Sequence, residues 1–355
     1  MTSEHVTSQH AAQLSGTTTP VQNAYRLALL DLDGVVYRGK DPVEHAAESI
    51  REAELAGMLV QYTTNNSSRP QHVVADQLRG FGLEVDDSQI ITSAMVAARM
   101  VARGVDVGAK VLVLGAQHLR DEVRGQGLEI VDTAQGNPQA VIQGWHPELS
   151  WKELAEVSNA VEHGARYYVT NRDLTLPREW GMAPGCGSMI QAVINATGVE
   201  PLASAGKPES AMYDEARLIN AQGDTPLDKR RCLAIGDRLD TDIEAGNRGG
   251  YDSMVVLTGV ATPRELLLAD RLLRPTYIVR DLRGLHEIQP APAQVDATTW
   301  RCGDAWARVQ GDALTVSALD DIDALRAACS LIWSRRDASG DDVEIVLPEF
   351  HLAGR

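Results

Sequence analysis

Leu29-Leu30-Asp31-Leu32-Asp33-Gly34-Val35-Val36-Tyr37 joins an apolar run that begins near Tyr25 to two carboxylates and a glycine. The apolar run reads as a strand buried on both faces. Such a strand should not end in charge without a reason, because an uncompensated buried carboxylate is costly. On extended chain, residues two apart project to the same side. Asp31 and Asp33 therefore offer hard oxygens together, a donor type that suits magnesium. Gly34 lets the chain turn sharply beyond them. Taken alone, these residues read equally well as an ordinary Asp-x-Asp-Gly turn; the remaining strand ends decide.

Working outward, residues 43–56 show helical periodicity and 58–63 read as a second strand opening on Thr64-Asn65-Asn66. Strand–helix–strand alternation implies a parallel sheet layered between helices. After a helix over 93–104 the pattern restarts, with strands at 110–114, 139–143 and 166–169 and helices at 118–124 and 150–162. That restart implies a second α/β layer system inserted into the first. Helices at 189–198 and 208–220, a strand at 231–235, a helix at 239–247 and strands at 252–257 and 277–279 return to the first system. Gln289-Pro290-Ala291-Pro292-Ala293 reads as a stiff spacer. Beyond it, 299–309, 313–316 and 343–347 read as strands and 320–333 as a helix. Three Trp residues, Trp300, Trp306 and Trp333, fall in this last part.

Composition bounds the function. The chain has 355 residues and a formal net charge of −16, which disfavours nucleic acid or an anionic membrane as partner. No apolar stretch reaches the length of a membrane span. Residues 1–20 are rich in Ser, Thr, Gln and His without an apolar stretch, which reads as a flexible tail rather than a signal peptide. The cysteines, Cys186, Cys232, Cys302 and Cys329, lack paired spacing and read as reduced thiols of a cytoplasmic protein.

In an open parallel sheet, ligands sit beyond the carboxyl ends of the strands. The second strand ends in Thr64-Asn65-Asn66-Ser67-Ser68-Arg69, a run of hydroxyl, amide and backbone donors able to cradle a phosphate ahead of a helix near Pro70. It also serves as an N-cap cluster. A later strand ends in Gly236-Asp237-Arg238-Leu239-Asp240-Thr241-Asp242, adding carboxylates at the same edge. Lys207, in Gly206-Lys207-Pro208, lies between these motifs and can neutralise phosphoryl charge. Three chemically matched strand ends favour a site over three unrelated turns.

Asp31-x-Asp33-Gly, Thr64-Asn65-Asn66, Lys207 and Gly236-Asp237-x4-Asp242 resemble, in order, the four motifs of the haloacid-dehalogenase-type phosphatases. The wording of the first, second and fourth is similar to the NagD-like branch, as are Pro184-Gly185-Cys186-Gly187-Ser188 and Ala196-Thr197-Gly198. The resemblance covers roughly 25–285. It implies an α/β fold: a doubly wound parallel-sheet core (24–91 and 188–288) with an inserted α/β cap (92–187). Around these the chain adds a tail (1–23), a linker (289–294) and a small C-terminal α+β module (295–355). The module faintly resembles part of an acetyltransferase fold without its coenzyme-binding glycine loop.

The resemblance further implies a magnesium-dependent phosphatase acting through a phosphoaspartyl intermediate. Asp31 would be the nucleophile and Asp33 the general acid and base. Magnesium would be held by Asp31, the Asp33 main-chain carbonyl and Asp237, with Asp242 behind them. Thr64, Asn65, Asn66 and Lys207 would hold the phosphoryl oxygens. In the cap, the loop 171–177 would face substrate through Arg172, Asp173 and Leu176. Relatives acting on an aromatic aldehyde phosphate carry His at the position of Leu176, which disfavours pyridoxal phosphate. Glycerol 3-phosphate is the expected substrate, with 2-phosphoglycolate or another small sugar or pyridoxal phosphate as alternatives. A phospho-metabolite sensor is the reading from another class, although it would not need Asp33. The expected partner is a small phosphate ester, and homo-oligomers through the cap or the C-terminal module are left open.

Overall fold

The computed structural model describes residues 13–178, 181–221, 223, 225–339 and 345–352. The chain divides into two compact units. The first comprises residues up to Tyr62, 81–83 and 217 onward; the second comprises 63–80 and 84–216.

In the first unit, strands Leu27–Asp31, Cys232–Gly236, Asp252–Val256 and Tyr277–Val279 pair in parallel in that order. Strand Leu59–Thr64 lies on the other side of the first and carries the chain out of the unit. The two central strands, Leu27–Asp31 and Cys232–Gly236, are apolar and buried up to their carboxyl ends, as the apolar runs predict. The register aligns Leu27 with Cys232 and Leu30 with Ile235. Asp31 and Gly236 therefore follow at the same level, and Asp237 emerges beside the first motif. A π-helical turn, Leu239–Ile243, precedes helix Glu244–Gly249. This replaces the single helix expected over 239–247, and such turns recur at functional sites.

The C-terminal part belongs to this same unit. Antiparallel strands Ala293–Asp296, Thr299–Cys302, Ala305–Gln310 and Ala313–Val316 carry helix Ile322–Ser339 on one face. The strand expected over 299–309 is broken by a turn at Gly303. Of the strand expected at 343–347, residues 343 and 344 lie outside the described residues, and Val346 makes only an isolated bridge to Ala313. Trp300, Leu325 and Trp333 share one hydrophobic cluster with Ile243, Val255, Leu266 and Ile278 of the parallel-sheet region. Each fully buried large side chain there contributes about 1.5–3 kcal/mol.

The expected spacer is also tied down. Gln289 is buried, and its Nε2 donates to the Gly284 carbonyl while its Oε1 accepts from Arg326. Residues 1–12 of the expected tail lie outside the described residues, and beyond them Leu14 is buried in the shared cluster. Its neighbours Ser15 and Thr17 donate main-chain hydrogen bonds to Thr276 and Gln289. Local composition favoured a loose chain; the apolar anchors override it.

The second unit holds a five-stranded parallel sheet in the order Ala203–Ser204, Arg166–Val169, Ala140–Gln143, Lys110–Leu114, Glu129–Val131. Helices Trp151–Glu162 and Cys186–Thr197 pack on one another, and both contribute to a core containing Leu112, Val141, Val157, Tyr167 and Ile190. Ser150 and Glu153 form a reciprocal capping box that starts the first of these helices. Helix Ser93–Gly104 starts at Thr92, whose hydroxyl accepts from the Met95 N–H. Strands Thr175–Arg178 and Gly181–Pro184 pair antiparallel, where the sequence suggested a loop.

Candidate active site

Asp31, Asp33, Asp237 and Asp242 lie in the first unit. Carboxylate oxygens of Asp31, Asp237 and Asp242 fall within 4.8 Å of one another. Asp31 is half-buried, whereas Asp237 and Asp242 are 3% and 1% exposed. Strand register brings the first two together, and the π-helical turn returns Asp242 to the strand end. Its Oδ2 accepts from the Arg238 N–H at 3.1 Å. Arg238 itself forks onto Asp240, so that carboxylate faces its own arginine.

Three converging carboxylates, two of them buried, form the all-oxygen donor set of a hard divalent cation. The residues present therefore fit the magnesium that the sequence motifs imply. Asp33 lies beside this cluster but outside it. Its carboxyl retains surface exposure, yet the protein packed around it raises its pKa from the ordinary aspartate value, with the Gly34 N–H acting in the opposite sense.

A third loop completes the first unit's contribution, and the sequence reading missed it. The strand Asp252–Val256 runs into Thr258-Gly259-Val260. The Val260 N–H donates to Asp237 Oδ2 at 2.8 Å, and the Thr258 hydroxyl donates to the Gly34 carbonyl at 2.6 Å. Arg38 Nε binds the Thr258 carbonyl at 2.7 Å. The available signal was positional: this loop leaves the carboxyl end of a strand adjacent to the acidic ones.

Thr64, Asn65, Asn66, Lys207, Arg172, Asp173 and Leu176 lie in the second unit. Asn65 is the junction of a polar cluster. Its Oδ1 accepts from the Lys207 N–H at 2.8 Å, while its Nδ2 donates to the Lys207 carbonyl and to Asp173 Oδ1, each at 3.0 Å. The Asn65 carbonyl accepts from Ser93 Oγ at 2.7 Å and Asn171 Nδ2 at 2.9 Å. Lys207 is 2% exposed. Thr64 Oγ1 accepts from the Asn66 N–H, and Asn66 Oδ1 caps Ser68, so this pair organises the turn before helix Gln71–Gly80.

The cap residues divide. Asp173 joins the Asn65 cluster, whereas Arg172 is exposed and pairs with Glu200 at 3.3 Å. Leu176 lies opposite Ala183 in the antiparallel pair. Among the Trp residues of this region, Trp151 is 82% exposed and Trp145 packs partly against the core. Trp180 lies outside the described residues. His146 binds Glu153 at 2.9 Å and so supports the capping box.

Residues 28–129 match the haloacid dehalogenase-like hydrolase family model, and residues 204–285 match the HAD-hydrolase-like model. D-glycerol 3-phosphate phosphatase of Mycobacterium tuberculosis is 38% identical over 320 residues, covering 87% of this chain and 86% of the relative. A 5′-nucleotidase of Bacillus subtilis is 33% identical over 73% of this chain and 96% of its own. The crystal structure of a glycerol phosphate phosphatase from M. tuberculosis in complex with magnesium superposes with a TM-score of 0.80 at 35% identity, covering 94% of this chain and 96% of that one. Among the described residues, no helix is long and apolar enough to cross a membrane.

Proposed function

The chain belongs to the haloacid dehalogenase-like hydrolases, and from that premise we propose that it is a magnesium-dependent phosphatase of small phosphate monoesters, with glycerol 3-phosphate as its substrate. The observation that carries this reading is the convergence of Asp31, Asp237 and Asp242 at adjoining strand ends. A purely structural strand end gains nothing from three gathered carboxylates. The relatives named as glycerol phosphate phosphatases support the substrate.

In the first half of the reaction, an Asp31 oxygen attacks phosphorus and the bond from phosphorus to the leaving alcohol breaks. Asp33 gives its proton to the departing oxygen. In the second half, Asp33 takes a proton from water, whose oxygen attacks the same phosphorus. The bond to Asp31 then breaks and inorganic phosphate leaves. Thr64, Asn65, Asn66 and Lys207 are assigned to the non-bridging oxygens, whose charge must be stabilised during transfer. Magnesium, when held by Asp31, the Asp33 carbonyl and Asp237 with Asp242 in support, screens the repulsion between carboxylate and phosphate. A protein of charge −16 can thus accept an anion, because the charge is reversed locally.

The test is phosphate release from glycerol 3-phosphate, 2-phosphoglycolate, pyridoxal 5′-phosphate and a nucleoside 5′-monophosphate, with magnesium or with EDTA. The nucleotide is included because one relative is named a 5′-nucleotidase. Glycerol 3-phosphate should show the highest kcat/KM, and EDTA should abolish release. Preference for another ester would overturn the substrate, and metal-independent release would overturn the site.

A further inference from the structure

The sequence marked Pro184-Gly185-Cys186-Gly187-Ser188 as a motif to which the reaction assigns no role, and Asp173 as a substrate contact. The structure connects them. Gly187 sits in the first turn of helix Cys186–Thr197, and its N–H donates to the Asp173 carbonyl at 2.8 Å. A Cβ on Gly187 would stand 2.2 Å from the Arg172 carbonyl oxygen, so no other residue admits this approach. Ser188 Oγ adds a bond to the Leu174 carbonyl at 2.7 Å. The helix start thereby grips residues 172–174 by their main chain and fixes where the Asp173 side chain stands.

From there the chain of contacts runs to Lys207. Asp173 Oδ1 accepts from Asn65 Nδ2, and the Asn65 carboxamide takes both the N–H and the carbonyl of Lys207. The two bonds to Lys207 need opposite ends of the carboxamide, so only one orientation of the group serves both. Asp173 therefore meets the amide nitrogen, the end for which a carboxylate is the matched partner. Close approach is secured at Gly206, where a Cβ would stand 2.7 Å from Asn65 Oδ1 and 2.8 Å from the Thr170 carbonyl oxygen.

We propose that Asp173 is a positioning residue: it orients the Asn65 carboxamide, which in turn fixes the Lys207 main chain and thus the phosphate-binding ammonium group. The inference rests on the assignment of Lys207 to phosphate given above. It gives the Asn65 side chain a task different from direct phosphate contact. It also turns Asp173 from a selector of the alcohol into a support for the phosphoryl site, so its effect should be the same for every ester.

The decisive experiment is a mutant cycle assayed with p-nitrophenyl phosphate and glycerol 3-phosphate, with folding followed by thermal melting. Asn65→Asp keeps the acceptor for the Lys207 N–H, removes both donations and sets two carboxylates against each other. It should lower kcat/KM by about tenfold to a hundredfold for both esters. Adding Asp173→Asn to it supplies a donor facing the new carboxylate, and should recover about tenfold of that loss. Asp173→Asn alone keeps a carbonyl oxygen for Asn65 and should stay within about threefold of wild type, whereas Asp173→Leu should fall as Asn65→Asp does. Inhibition by inorganic phosphate should weaken in the same order, a readout that a loss of fold alone would not rank.

Equal activity of Asp173→Leu and wild type, or no recovery in the double variant, would overturn the proposal. So would a loss confined to glycerol 3-phosphate, which would return Asp173 to alcohol recognition. Lys207→Ala separates the two levels: if it leaves both kcat/KM and phosphate inhibition unchanged, the assignment of Lys207 to phosphate fails; if it is impaired while the Asn65 and Asp173 variants are not, only the positioning role fails.

Discussion

Gly259→Ala places one methyl group against the proposed magnesium ligand Asp237 without replacing any acidic residue. The new Cβ would stand 1.8 Å from Asp237 Oδ2 and 2.5 Å from its Cγ. Carbon and oxygen need roughly 3.3 Å or more, so the carboxylate must retreat by about 1.5 Å. That retreat breaks the 2.8 Å bond from the Val260 N–H to Oδ2. A hydrogen bond to a charged group contributes about 1.5–3 kcal/mol, which corresponds to roughly ten- to a hundredfold in binding. Disturbing the supports of metal ligands elsewhere costs a similar factor.

The assay is a magnesium titration of phosphate release, with melting measured in EDTA. Half-saturating magnesium should rise about ten- to a hundredfold, and saturating magnesium should recover most of the turnover. Melting in EDTA should show no more than the loss of that one hydrogen bond, about 1.5–3 kcal/mol, because Gly259 does not have a positive φ and the methyl adds no backbone strain of that kind. An unchanged magnesium requirement in a folded variant would refute the reasoning that Asp237 is held for the metal by this loop.

Four further predictions concern the rest of the molecule. Deleting residues after Pro292 should abolish a cooperative melt, because it strips Trp300, Leu325 and Trp333 from a cluster shared with Val255 and Ile278; a truncated chain that melts as wild type would show the module to be separable. In the milder variant Trp333→Ala, loss of a fully buried ring and its 2.8 Å bond to the Leu266 carbonyl should cost about 3–5 kcal/mol in urea unfolding. Glu215, 5% exposed and held by Arg99 and Arg103, should give a loss of about 1–3 kcal/mol when changed to Gln; an unaltered urea midpoint would contradict the pairing. Burial pushes the thiols of Cys186, Cys232 and Cys302 up to about 12, and Cys329 upward as well, so near pH 8 all four stay protonated. A disulfide-exchange reagent should label them only after denaturation, and rapid native labelling would contradict their burial.

The fold was legible where one physical signal sufficed. Lys110–Leu114 is an apolar run after its exposed first lysine, Tyr277–Val279 is apolar throughout, and Ser93–Gly104 has a cap, a stripe and a glycine end; all three fall where the sequence puts them. Ala203–Ser204 was not legible, because two residues carry no period and it is pairing with Arg166–Val169 that makes them a strand. The pairing of Thr175–Arg178 with Gly181–Pro184 was hidden by Pro177 and Pro184 within these strands. Gln289 looked like part of a spacer because its burial depends on Arg326, far along the chain.

The same distinction holds at the site. Asp31, Asp237 and Asp242 could be picked out because strand ends collect ligands and carboxylates there need a reason. The tasks of Asn65 and Asp173 could not, since an Asn in a phosphate motif and an Asp in a cap loop each suggest contact with substrate. Only the directions of their hydrogen bonds distinguish support from contact.

The most direct measurement of the central claim is acid-quenched trapping of the enzyme during turnover of glycerol 3-phosphate with magnesium, followed by peptide mass spectrometry. The account predicts one phosphoryl group on the peptide containing Asp31, with neither label nor turnover in Asp31→Asn. Sustained turnover by Asp31→Asn, or a phosphoryl group trapped on a different residue, would contradict it.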